Sequence, residues 1–145
     1  MIKKAYKKLD RFVAKFVAVM VIVICVTSWA FAQDACVSGT VPVIGCTIIS
    51  DDGNYDLTGD ITPISGLSAI RFNTANRNTF NYTGNINTEA TGAMGVYIAS
   101  STFNNITING NIDVGALGLY GILTGPGAGN NTIIMNGNIT TNRYL

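Results

Sequence analysis

The groups in this chain that could do chemistry are few: eight carboxylates, three cysteines, nine Lys and Arg residues, and no histidine. Cys25 lies inside an apolar run without the small-residue box that lipidation requires, which leaves Cys36 and Cys46 as the pair with consequences. A metal or redox site is the demanding reading of that pair. It fails on residue types, because there is no C-x-x-C spacing and no imidazole to complete a zinc shell. A disulfide is the simpler product in an oxidising compartment. It would close a ring of about ten residues and stabilise by roughly 3 kcal/mol if unstrained.

Acid–base work on a polymer would need two carboxylates held together, or a calcium cluster beside a basic residue. The candidates past residue 32 are Asp34, Asp51, Asp52, Asp56, Asp60, Glu89 and Asp113. None recurs at a fixed period. Positions equivalent to Asp56 in the repeat described below are Asn81, Thr107 and Ile134, and Asp113 falls between Asn87 and Thr140. Asp51-Asp52-Gly53-Asn54 reads as a turn, since a calcium loop needs further oxygens at set offsets. Arg71 and Arg77 share one turn of the repeat and are expected to meet Glu89 or Asp56 in a solvated ion pair. The expectation is a chain with no catalytic, cofactor-binding or metal-ligating residues. It should show no lyase or hydrolase activity.

The elements that would position these residues fall into two parts. Six of the nine cations (Lys3, Lys4, Lys7, Lys8, Arg11 and Lys15) precede an eleven-residue apolar run, Phe16 to Val26, followed by Ala30-Phe31-Ala32 before Gln33. Basic region, apolar core and an A-x-A cleavage site, with Ala30 and Ala32 before the cut and Gln33 after it, make residues 1–32 a secretory signal peptide. Eleven residues of helix span only about 16 Å, roughly half a bilayer core, so the membrane contact is transient. The remainder carries three arginines against seven carboxylates, a net charge of −4. A nucleic-acid partner needs clustered cations, and none follow.

Past the signal the chain repeats. YDLTGDI at 55–61, FNYTGNI at 80–86, ITINGNI at 106–112 and IIMNGNI at 133–139 share one pattern, with Gly59, Gly84, Gly110 and Gly137 spaced by 25, 26 and 27 residues. A second pattern keeps phase: GLSAIRF at 66–72, GAMGVYI at 92–98 and GLYGILT at 118–124. Alternation with period two marks strands with one buried face. A strand repeated every 26 residues, with a second strand and two loops between copies, is one coil of a right-handed parallel β-helix of about four coils. The fold class is therefore all-β, with residues 33–54 as an N-terminal cap holding the cysteine pair and 55–145 as the coils. Inward ranks are Tyr55, Phe80, Ile106 and Ile133, and next to them Leu57, Tyr82, Ile108 and Met135. Tyr55, Tyr82, Ile108 and Met135 are expected to stack as one buried rank. The four glycines would sit at a bend that admits no Cβ. Asp60, Asn85, Asn111 and Asn138 would stack as a ladder whose amides bond coil to coil.

NNITINGNI at 104–112 and NNTIIMNGNI at 130–139, together with the long basic signal peptide, resemble the passenger region of bacterial autotransporters. The resemblance implies an exported scaffold on the surface of a Gram-negative-type bacterium, in the outer membrane or outside it. Its partners would be a host or cell-surface protein or glycan, and its role display or adhesion. The family ends in a translocator barrel for which this sequence has no room. Thr141–Leu145 falls where a fifth coil would open, so a fragment, or a unit that stacks on further coils or on itself, is expected. CTIISDDGNYDLTGDIT at 46–62 is also similar to the opening of β-helix proteins that bind or cleave carbohydrate. A carbohydrate-binding or polysaccharide-degrading protein is thus the competing expectation.

Overall fold

Alternating apolar side chains, β-branched residues and glycine bends make strands that cannot bury their inner faces alone, so the chain stacks on itself. The computed structural model describes residues 33–142, and the signal-peptide reading of 1–32, including Ala30 and Ala32, lies outside them. The described residues form an all-β solenoid of about four turns. Its strands are β1 (Gly39–Thr40), β2 (Cys46–Ile48), β3 (Asn54–Thr58), β4 (Ser68–Asn73), β5 (Thr79–Thr83), β6 (Ile86–Asn87), β7 (Met94–Ala99), β8 (Asn105–Asn109), β9 (Ile112–Val114), β10 (Tyr120–Thr124), β11 (Thr132–Asn136) and β12 (Ile139–Thr141).

Three parallel sheets run up the stack. The first has the order β1-β3-β5-β8-β11, the second β2-β4-β7-β10 and the third β6-β9-β12. The third sheet departs from expectation. Sequence patterning gives two strands per coil, and the two- or three-residue pieces after each glycine bend form another one. Ile61 adds a single bridge beneath it, to Ile86. Within 33–54, β1 and β2 extend the first two sheets downward by parallel pairing with β3 and β4. Thr141 belongs to β12 and so to the fourth turn, rather than opening a fifth.

Register fixes the core. Tyr55, Phe80, Ile106 and Ile133 form one inward rank, and Leu57, Tyr82, Ile108 and Met135 the next. Tyr55 does not share a rank with Tyr82: the two are offset by two residues, and Leu57 takes the place below Tyr82. Cys46, Ile70, Val96 and Ile122 line the second sheet. The Phe72 and Phe80 rings meet edge-on across the interior, 5.3 Å apart at 72°. Such a pair contributes about 1 kcal/mol beyond the area it buries.

Candidate functional site

Two kinds of feature could carry function: polar columns that bond one coil to the next, and the faces turned to solvent. The columns begin at the glycine bend. A Cβ on Gly84 would lie 2.3 Å from the Gly59 carbonyl oxygen, one on Gly110 1.8 Å from that of Gly84, and one on Gly137 2.0 Å from that of Gly110. Backbone stacks on backbone there, at a distance no side chain tolerates. Gly59, the lowest of the column, would meet only Val41 and Thr40 side chains at ordinary contact distance, but has a φ of +120°. The next residue in each turn makes the expected ladder, though by a different bond. The backbone N–H of Asn85 donates to Asp60 Oδ1 (2.7 Å), that of Asn111 to Asn85 Oδ1 (3.1 Å) and that of Asn138 to Asn111 Oδ1 (3.0 Å). A side-chain amide joins in at one step, from Asn85 to Asp60 at 3.3 Å.

A second ladder lies inside the wall. Asn78 and Asn104 are buried and Asn131 is half-buried, at the corner between the second and first sheets. Here the backbone N–H of the lower coil donates upward: Gly53 to Asn78 Oδ1 (2.7 Å), Asn78 to Asn104 Oδ1 (2.9 Å) and Asn104 to Asn131 Oδ1 (3.0 Å). Each amide also donates to a carbonyl of the coil beneath, Ser50, Ala75 or Ser101. Sequence reasoning missed this column, although its 26- and 27-residue spacing was readable. The residues just before it, Asp52, Arg77, Phe103 and Asn130, all have φ between 52° and 59°. Non-glycine residues take this left-handed conformation at a cost, so the corner holds them in it.

Three charged residues, Asp51, Asp52 and Arg77, are absorbed by these corners. Asp51 accepts from the backbone N–H of Asn76 at 2.7 Å, continuing the turn column upward. Asp52 accepts two bonds from Arg77, from Nε at 2.7 Å and from Nη2 at 2.8 Å, and those bonds hold its carboxyl below the usual range. Arg77 therefore meets Asp52 and Asp51, not Glu89 or Asp56 as expected, because the 25-residue phase sets it directly above them. Arg71 pairs with neither. It lies over the Tyr97 ring, 5.5 Å from its centre, on the outer face of the second sheet. Its neighbours Gln33, Ala35, Thr47, Ile49 and Asn73 line a shallow depression of about 230 Å³. Gln33, the expected residue after the cleavage point, turns its side-chain amide to the carbonyl of Ser68.

Cys36 and Cys46 are bonded, with their Cα atoms 5.0 Å apart. Around them the chain folds back: Ala35 bridges Thr47 in parallel, so residues 34–36 cover the lower edge of β2. The outward columns of the first sheet are Asp56, Asn81, Thr107, Ile134 and Thr58, Thr83, Asn109, Asn136. They form a flat strip that is polar except at the exposed Ile134 and carries a single charge, Asp56. Among the described residues no three of His, Cys, Asp and Glu converge as metal ligands would. No family model, curated protein or solved structure matches this chain.

Proposed function

We propose that the chain is an exported, non-catalytic β-solenoid scaffold for surface display or adhesion, of the kind found in autotransporter passengers. The observation that carries this reading is the pair of aligned polar columns on the first sheet. A strip of hydroxyls and amides repeated at every coil gives weak contacts that add along the axis, which suits a spread-out protein or glycan surface. Three of the carboxylates have structural employment: Asp60 in a ladder, Asp51 and Asp52 at a corner. The basic leader and the A-x-A site favour export, which a disulfide in the first turn suits. The test is to express the full chain in a Gram-negative host and count surface-bound antibody and adherent cells. Outer-surface protein that supports adhesion is expected, and protein retained in the cytoplasm with Cys36 and Cys46 both titratable as free thiols would sink the reading.

A second reading has one observation of its own. An arginine above a tyrosine ring, beside Thr47 and Asn73, is a surface that could stack a sugar and bond its hydroxyls or carboxylate. On that reading the chain binds carbohydrate. A glycan array probed with Arg71→Ala and Tyr97→Ala beside the parent chain separates the two. Loss of a specific glycan signal in both variants would favour it.

A further inference from the structure

The outer face of the second sheet holds a cation without a counter-ion. Among the described residues the cationic side chains are Arg71 and Arg77, and Arg77 is engaged with Asp51 and Asp52. Arg71 has no carboxylate of the described residues within ion-pair distance, and its Nε, shielded from solvent, bonds to none of them. Shielded donors in folded proteins are nearly always paired, so an orphaned one marks a place that suits an acceptor. No residue lining the depression is acidic, so an anion would enter it without repulsion from its walls.

Three coils build this place. Thr47, Arg71 and Tyr97 follow one another up a single outward column, about 4.8 Å apart. A Cβ on Gly125 would lie 2.7 Å from the Tyr97 hydroxyl, so a glycine there is what admits the ring beneath the arginine. Beside the column, Asn73 accepts a bond through its backbone carbonyl from Thr74, and among the described residues its side-chain amide has no partner. Ile49 is 61% exposed at the same depression. The groups on offer are thus a planar cationic fork, a free amide and an apolar patch. A guanidinium matches a carboxylate in two-point geometry. The amide suits a hydroxyl, and the patch suits the C–H face of a sugar ring. An acidic peptide would bring the carboxylate but neither ring nor hydroxyls. At about 230 Å³ the depression is smaller than the roughly 300 Å³ at which sites for drug-sized ligands begin, which fits one ring.

We infer that the Arg71 depression is a subsite for a uronate, its carboxylate held by the guanidinium and its ring seated on Ile49 beside Tyr97. The inference rests on the carbohydrate-binding reading and narrows it to acidic sugars. The probe is trigalacturonate, titrated into the full chain by calorimetry beside its neutral methyl ester and a hexaglutamate peptide. Saturable binding of the acid is expected, with the ester about tenfold weaker, the worth of one charge-assisted bond. Arg71→Gln should cost the acid about the same factor and leave the ester unchanged, with circular dichroism as the check on folding. Arg71→Lys, which keeps the charge and loses the fork, should fall between Arg71→Gln and the parent. The ester comparison needs no variant, so it decides even if a substitution disturbs the strand. An ester that binds as well as the acid would overturn the uronate inference and leave the carbohydrate reading standing. Failure of both sugars would overturn the two together, and hexaglutamate binding as tightly as the acid would replace the sugar with an acidic peptide.

Discussion

The two asparagine ladders use one residue type at one period and yet differ in almost every physical respect. The inner ladder is buried, points its acceptors at the coil below and closes several bonds per side chain. The outer ladder is exposed, points its acceptors at the coil above and closes essentially one. Water can replace the outer bonds when they break. It cannot reach the inner ones, where a lost partner leaves backbone groups unpaired in a low-dielectric corner. Repetition in sequence therefore does not imply equal weight in stability.

The sharpest way to break this comparison is Asn104→Ala. It strips partners from the N–H and amide of Asn78 and from the Ala75 carbonyl, all in the wall. A loss of about 3–4 kcal/mol is expected by urea denaturation, from two or three unsatisfied groups at 1–3 kcal/mol each. Tyr82→Phe comes next. The Tyr82 hydroxyl lies 2.6 Å from the Gly59 carbonyl oxygen and 3.0 Å from that of Asn85, linking the core to the outer ladder. Its removal should cost about 1 kcal/mol. Burial, then the nearby Asp60 carboxylate, push the Tyr82 phenol well above its ordinary value. Its contribution is thus complete below about pH 10, where the unfolded phenol ionises, and declines as pH rises past that point. Midpoints measured from pH 9 to 11 should fall more steeply for the parent than for Tyr82→Phe. Equal slopes would contradict the burial argument.

Asn111→Ala should cost only about 0.5 kcal/mol, since its exposed acceptor serves a single N–H. A loss as large as that from Asn104→Ala would erase the distinction between the ladders. The smallest effect belongs to Asp52→Asn at the exposed corner. The bond to Arg77 holds the Asp52 carboxyl low, so its contribution is present at neutral pH and lost as pH falls through that lowered value. Solvent screening should keep the neutral-pH change within the error of a thermal melt.

Much of the fold could be read in the chain because glycine spacing and apolar alternation act through sterics alone. A one-residue slip in Gly84 or Gly110 would drive a Cβ into a carbonyl, so the 25- to 27-residue phase carries the register. The third sheet was not legible, since a strand such as Ile86–Asn87 is too short to show a period. The inner ladder was hidden for another reason. Asn78 and Asn104 sit beside Thr and Asn in what composition reads as loop, and only coordinates show that the corner closes over them. Arg77 pairs with Asp52 and Asp51 rather than Glu89 or Asp56 because sequence gives the coil but not which corner shares its column. The outward strip could be written down column by column, while the Arg71 depression depends on Tyr97 lying one coil above, in a face whose neighbours only the register reveals.

The disulfide has a bearing on the order in which the molecule can be built. Its ring closes only ten positions apart, within the first turn, and almost every later contact reaches back about one repeat. Assembly can therefore run as a zipper from the amino end, each newly delivered segment finding its template already finished. Nothing made late has to wait for a distant piece of chain, and the floor of the stack is locked before the storeys above it arrive.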